Sequence, residues 1–431
     1  MEQGLLILSL VLVLAGAIGV LLGKWSITMP IVFVVVGALL VTTGVVTITA
    51  RNETVRALTE VTLVMLLFAD ASTLNARKVS EDATLPGRLL GIGLPLTIAL
   101  GAVIAWLFFP SEGIGFALLI ATILAPTDAA LGLPIFVNRS VPVRIRRALN
   151  VESGLNDGLA TPFITLFIAL AVSQESASQS SWLLSALLQI LLASGAGIAV
   201  GLIGGKLLMW AHARDWTDGA PLQFAVLGLA FAAYLGSLAI GGNGFVAAFV
   251  AGITFRWATR GKLSEATEYT ETTGTLLSLF VWVIFGAVFV VPFVLQNFDV
   301  RVVLLAILSL TLIRMLPVFL ALSGTGLRVD TRLIMGWFGP RGLASVIFSL
   351  MAIEALEGAG KETHLLASIA AWTILLSVLA HGLSAKPLAT WFAHRLPDEA
   401  DIPERMTLSE IHHRVNLGVP AHHEPEAANH T

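Results

Sequence analysis

The sequence predicts an all-α polytopic membrane protein of about thirteen transmembrane helices, arranged as inverted repeats with two broken crossing helices. Three observations predict it. The chain of 431 residues is 56% hydrophobic and only 12% charged, with a mean hydropathy of +0.87, whereas a soluble domain carries about 25% charged residues. Apolar stretches of about 20 residues, long enough to span a bilayer as helix, recur along residues 1–392. Two of those stretches carry proline-containing breaks at corresponding places in the two halves of the chain. Backbone groups in lipid must be satisfied within the segment, so the spans are helices, and the alternating pattern of a membrane barrel is absent.

Taken in order, apolar runs between charged or Gly/Pro-rich breaks lie near 4–23, 28–48, 55–75, 88–109, 113–135, 147–172, 182–211, 221–240, 243–257, 272–295, 301–323, 333–355 and 364–391. The first follows Met-Glu-Gln-Gly-Leu, which lacks the basic region of a cleavable signal peptide, so it reads as a retained span. The fifth contains Leu124-Ala-Pro-Thr-Asp-Ala129 and the twelfth Trp337-Phe-Gly-Pro-Arg-Gly342. Proline there frees carbonyls and a half-helix end inside the membrane, and paired broken helices point to a transporter of inverted repeats. Gly241-Gly-Asn-Gly244, between the eighth and ninth runs, reads as a tight connection, because no strand precedes it to make a phosphate cradle. Residues 1–392 form the membrane domain, and 393–431 read as a short, disordered cytoplasmic tail that includes His412, His413, His422 and His423.

Basic residues set the orientation. One set of alternate loops holds Lys24, Arg77, Lys78, Arg88, Arg139, Arg144, Arg146, Arg147, Arg214, Arg256, Arg260, Lys262, Arg328 and Arg332, with Lys386 and Arg395 beyond them. The opposite loops hold little besides Arg51, Arg56, Arg301 and Lys361. The C-terminus is therefore expected in the cytoplasm and, with an odd number of spans, the N-terminus outside. A net charge of -3 gives no reason to expect nucleic acid, and zero cysteines excludes disulfides and thiolate metal sites.

Six ionisable residues fall well inside spans: Asp70, Asp128, Glu152, Asp157, Arg314 and Arg341. Each costs about 2.5–3.5 kcal/mol to insert, so each needs a partner or a task. If each base takes one acid, a surplus of negative charge remains, which attracts a cation or a proton. On a helix Ser153 and Asp157 share one face, and Glu152 and Asn156 the adjacent one. Ser153 and Asp157 offer a hydroxyl and a carboxylate, which are hard oxygen ligands. Glu152 can turn aside to Arg314, a lone guanidinium amid Leu-Thr-Leu-Ile-Arg-Met-Leu-Pro. A carboxylate shielded from water makes proton and cation comparable competitors. If Asp157 holds one or the other but not both, exchange follows from competition.

Ala125-Pro-Thr-Asp128, Glu152-Ser-Gly-Leu-Asn-Asp157 and Gly339-Pro-Arg-Gly342 together resemble the monovalent cation:proton antiporter family, which includes the NhaP-type sodium/proton antiporters and the animal sodium/proton exchangers. The resemblance covers nearly all of residues 1–392. It implies that Asp157 carries the proton and the metal ion, Na+, with Ser153 and Thr127 supplying oxygens. Asn156 matches the Asn of an Asn-Asp pair typical of electroneutral members. Asp128 matches a residue that acts near the ion through water. Glu152 and Arg314 match a helix-bridging ion pair, and Arg341 matches the Arg of the second broken helix. Asp70 stands where the family usually has Glu. The resemblance further implies a homodimer with a mobile six-helix core, monovalent cations and protons as substrates, the lipid bilayer as surroundings, and no cofactor. Compact length suggests the bacterial inner membrane.

Plainer readings exist for the same residues. Asn156 and Asp157 could serve as interhelical glue, Asp128 as a cap on exposed amides, and Asp70 as a partner of Arg77. Rival functions are weaker: a cation channel would need a continuous polar pore or filter sequence. An intramembrane enzyme would need a catalytic set such as His-Glu-x-x-His or Gly-x-Ser-x-Gly, and neither is present. An anion carrier conflicts with the acidic surplus. A potassium/proton antiporter of the same fold is the closest alternative.

Overall fold

The computed structural model describes residues 2–25, 27–46, 53–73, 82–136, 138, 140–173, 179–396 and 402–406. Among the described residues all regular structure is helical. In chain order the helices are α1 (Glu2–Lys24), α2 (Met29–Thr42), α3 (Glu53–Thr73), α4 (Thr84–Phe108), α5 (Gly113–Ile123), α6 (Ala129–Phe136), α7 (Val143–Ser173) and α8 (Gln179–His212). They continue with α9 (Gly219–Ala239), α10 (Gly244–Thr259), α11 (Glu268–Ile284, extended by wider turns over Phe285–Leu295), α12 (Val300–Leu310), α13 (Leu312–Ala321), α14 (Val329–Trp337), α15 (Leu343–Gly358) and α16 (His364–Arg395). Every expected span coincides with one helix or with a broken pair. Length and composition alone mark 8 helical segments among the described residues as able to cross a membrane, with shorter apolar helices at Met29–Thr42, Pro110–Ile123 and Gly244–Thr259. The outer faces of α1 and α8 expose Leu10, Leu14, Leu184, Leu191 and Ile203, as surfaces toward acyl chains do.

The short helix α10 lies at the centre of one half of the molecule, packed between α8, α3 and α9. A seam of Gly197, Gly201 and Gly205 along α8 lets it approach, since a Cβ at Gly201 would lie 2.1 Å from Thr254 Oγ1. In membranes such small-residue seams replace the hydrophobic driving force with close van der Waals contact. On its other sides α10 meets α3 and α7. A Cβ at Gly252 would lie 2.4 Å from Phe68 O, and one at Gly158 would lie 2.1 Å from the Phe249 ring. The same short helix therefore abuts α3 beside Asp70 and α7 beside Asp157.

The fifth and twelfth spans are broken as expected, α5/α6 at 124–128 and α14/α15 at 338–342. Pro126 and Pro340 have no N–H and bias the preceding residue away from helix, so each span stops at its proline-containing stretch. The two breaks touch in antiparallel order. Ser345 Oγ donates to Ile123 O (2.7 Å), Arg341 Nη1 to Ala125 O (2.9 Å), and Asp128 N to Pro340 O (2.9 Å).

The end of the molecule rich in arginine is tied together by buried pairs. Arg144 pairs with Asp82 (2.5 Å) and donates to Pro403 O (2.6 Å). Glu404, buried in a short turn over Pro403–Arg405, accepts from Arg328 N (2.9 Å) and Thr331 Oγ1 (2.8 Å). The helix α16 runs past the expected boundary at 392 to Arg395, and residues 402–406 pack against the start of α14, where Glu404 finds its donors Arg328 N and Thr331 Oγ1. The remainder of the tail, with its histidine pairs, lies outside the described residues, as do Arg77, Lys78 and Arg139. At the opposite end Arg56 reaches both Glu60 and Glu354, and Tyr234 donates to Glu60 (3.0 Å).

Candidate cation site at the helix crossing

The crossing brings two helix N-termini and two helix C-termini to one buried point. N-termini carry partial positive charge on free amides, and C-termini partial negative charge on free carbonyls. Asp128 answers the first. Its Oδ1 accepts from Ala130 N (2.8 Å) at the start of α6, and its Oδ2 from Leu343 N (2.9 Å) at the start of α15. Arg341, fully buried, answers the second. It donates to Ala125 O beyond α5, to Gly339 O (3.4 Å) beyond α14, and to Ser309 O (3.4 Å). The two side chains balance the partial charges of the crossing. Each carboxylate oxygen of Asp128 accepts from an amide, and Arg341 is met by carbonyls.

Gly342 makes this geometry possible. A Cβ there would lie 2.0 Å from Asp128 Oδ2. Gly342→Ala should expel the carboxylate from the Leu343 amide, costing about 1–3 kcal/mol for a buried donor left unmet. A fall in melting temperature in detergent, absent from Gly228→Ala, whose new Cβ would meet nothing within 4 Å, is the expected result.

Glu152 and Arg314 meet across α7 and α13 as a bidentate pair, with Arg314 Nη1 to Glu152 Oε1 at 2.6 Å and Nη2 to Oε2 at 2.8 Å. Both side chains are essentially sealed from solvent, 1% and 2% exposed. The pair thus accounts for one acid and one base of the six.

Next to the crossing stands a cluster of uncharged oxygens. Thr127, in the first break, lies 2.9 Å (Oγ1 to Oγ) from Ser153 on α7, and Asn156 Nδ2 donates to Thr127 Oγ1 at 2.6 Å. All three are buried. Asn156 Oδ1 is also buried and accepts no hydrogen bond in the structure. A buried carbonyl oxygen without a donor is costly unless something electropositive visits it. Asp157, half-buried, follows Asn156 directly and sits four residues after Ser153, so the same stretch of α7 presents a carboxylate beside the cluster. Its backbone carbonyl accepts from Thr161 Oγ1 (2.9 Å), which ties the next turn. Asp70 is buried on α3, which packs against both α7 and α10.

Sequence reasoning missed one group. Ser377, His381 and Ser384 lie along one face of α16 and grip the second break. Arg341 N donates to Ser377 Oγ (2.6 Å), His381 Nε2 is 2.9 Å from Trp337 O, and Trp337 Nε1 donates to Ser384 Oγ (3.0 Å). The signal was present as a polar stripe at i, i+4 and i+7 inside the last apolar run.

Fold and site define a class: a polytopic helical membrane protein with two antiparallel broken helices crossing beside an acidic, oxygen-lined site. The chain belongs to the family described as "sodium/hydrogen exchanger, transmembrane", whose model matches residues 7–391. Among curated relatives it is similar to the "K(+)/H(+) antiporter NhaP" of Alkalimonas amylolytica, 26% identical over 392 residues, covering 88% of this chain and 65% of that protein. It is also similar to the "Na(+)/H(+) antiporter" of Schizosaccharomyces pombe, 28% identical over 319 residues and covering 67% of each chain. The chain thus spans about two thirds of the length of these relatives. Among solved structures it resembles the sodium proton antiporter MjNhaP1 from Methanocaldococcus jannaschii, with a TM-score of 0.70, 22% identity, and coverage of 91% of this chain and 99% of that one. That likeness shows the shared fold.

Proposed function

We propose that the protein is a secondary antiporter that exchanges one monovalent cation, Na+ first, for one proton by alternating access. Asp157 holds either ion in turn. The observation that carries the reading is the oxygen cluster of Thr127, Ser153 and Asn156, with its donor-free Asn156 Oδ1, set beside a carboxylate at a helix break. A bound cation would draw on Asp157, Thr127, Ser153 and Asn156 Oδ1, and Asp70 adds negative potential from the α3 side. Asp128 and Arg341 keep the crossing electrically quiet, so Asp157 alone changes charge during the cycle. Relatives named for potassium as well as sodium make potassium the second reading.

The protein acts as a multi-pass carrier in the cell membrane, the bacterial inner membrane in this reading, with its arginine-rich end and C-terminus in the cytoplasm and its N-terminus outside. It works as a homodimer and performs no enzymatic reaction. Fluorescence dequenching in everted vesicles bearing an acid interior tests the exchange. Added sodium should collapse the proton gradient, and potassium should do so less. No response to sodium, lithium or potassium overturns the proposal. Because one charge replaces one, clamping the membrane potential at zero should leave the rate unchanged; a rate that follows voltage would reject the one-for-one ratio.

A further inference from the structure

We propose that His381 and Ser377 are positioning residues for the ion site: from α16 they set the shape of the second break, and the break in turn holds Thr127. The proposal rests on the antiporter reading and adds to it the source of the site's precision.

Thr127 belongs to no helix, and its neighbours are fastened to the other break. Two residues before it, Ala125 O accepts from Arg341 Nη1 (2.9 Å); one residue after it, Asp128 N donates to Pro340 O (2.9 Å). Thr127 therefore goes where residues 340 and 341 put it. Those residues lie in a stretch without helical hydrogen bonding, and Pro340 lends it no amide. What fixes them is α16. Ser377 Oγ receives the Arg341 amide at 2.6 Å. One turn along, the His381 ring meets Trp337 O, the last residue of α14, at 2.9 Å and lies 4.8 Å from the Trp337 ring. A carbonyl can only accept, so the bond to Trp337 O needs hydrogen on Nε2. His381 Nδ1 lies 3.0 Å from Ser377 O and 3.2 Å from Ser377 Oγ, so the ring sits between Trp337 and Ser377. The Ser377 hydroxyl that takes the Arg341 amide is thus in contact with the same ring. Both sides of the break, 337 and 341, are pinned to residues four apart on one helix. At 1% exposure no water competes for these bonds.

The brace bonds to backbone groups of the second break and not to Thr127 or Asp157 themselves, so its loss should loosen a ligand without removing the carrier. In wild-type vesicles the half-saturating sodium concentration and maximal rate are measured first. His381→Leu, which keeps bulk but removes the donor, should raise half-saturation about fivefold, the worth of one buried hydrogen bond, with the maximal rate within about twofold. His381→Gln, whose amide can place an N–H near Trp337 O, should restore most of the difference. A folded His381→Leu protein with wild-type half-saturation, or a Gln variant as impaired as Leu, overturns the proposal. If His381→Leu does not fold, Ser377→Ala takes its place with the same expectation and the same overturning result. Hydrogen exchange over 338–343 reads the brace without transport and should speed up in the Leu variant, while unchanged exchange overturns it. Wild-type vesicles silent to every cation would reject the antiporter reading and leave this exchange result to decide the brace.

Discussion

Asp157→Asn is expected to abolish cation-driven proton movement, to the background of empty vesicles, while the protein still folds. The change keeps the shape of the side chain and removes its capacity to hold a proton or to balance a cation. Around it, Glu152 pairs with Arg314 and Asp128 accepts from two amides. Folding should survive, because Asn is close to Asp in size and the hydrogen bond from Thr161 reaches the backbone carbonyl of residue 157, which the change leaves in place. Monodisperse behaviour in detergent together with a flat dequenching trace is the expected pair of results. A trace that still responds to sodium would move the carrier elsewhere, with Asp70 the first place to look. Asn156→Ala tests the cluster by a smaller step. It deletes both the donor to Thr127 and the open Oδ1, and should raise half-saturation severalfold with transport retained.

The second large effect concerns stability. Removing one partner of the Glu152–Arg314 pair, as in Arg314→Met, should cost about 3–5 kcal/mol, because it leaves a buried charge uncompensated. The pair is bidentate at 2.6 and 2.8 Å and joins α7, which carries the site, to α13. Gly339 makes room for it: a Cβ there would lie 2.2 Å from Arg314 Nε. The double variant Glu152→Leu with Arg314→Met should recover much of the loss, since apolar replacements of similar size are often neutral against a buried pair. Thermal denaturation in detergent, arranged as a double-mutant cycle, measures this. Equal losses in the single and double variants would show that the pair itself, not the orphaned charge, holds the helices.

Much of this was legible because the relevant physics is local or compositional. Spans are visible since lipid demands long apolar helices. Breaks are visible since proline removes a donor wherever it stands. Ser153 and Asp157 could be paired from helical spacing alone, and Glu152 could be matched to Arg314 because each is too costly to leave single. Ser377 and His381 were legible in principle, yet within an apolar run one histidine reads as an ordinary polar interruption until its partner, Trp337 O, is known.

By itself, then, the sequence determined the helical membrane class, the two interrupted spans, and the family to which these motifs point. Tertiary structure alone decided how the intramembrane charges are used. Asp128 and Arg341 meet the free amides and carbonyls of helix ends, Thr127 is held from the far break, and Glu404 closes back on the arginine-rich end. The physical reason is that free amides and carbonyls at a break belong to no residue type. Their electrostatic demand appears only where separate segments of chain are brought to one point, and no spacing along the chain encodes which side chain will answer it.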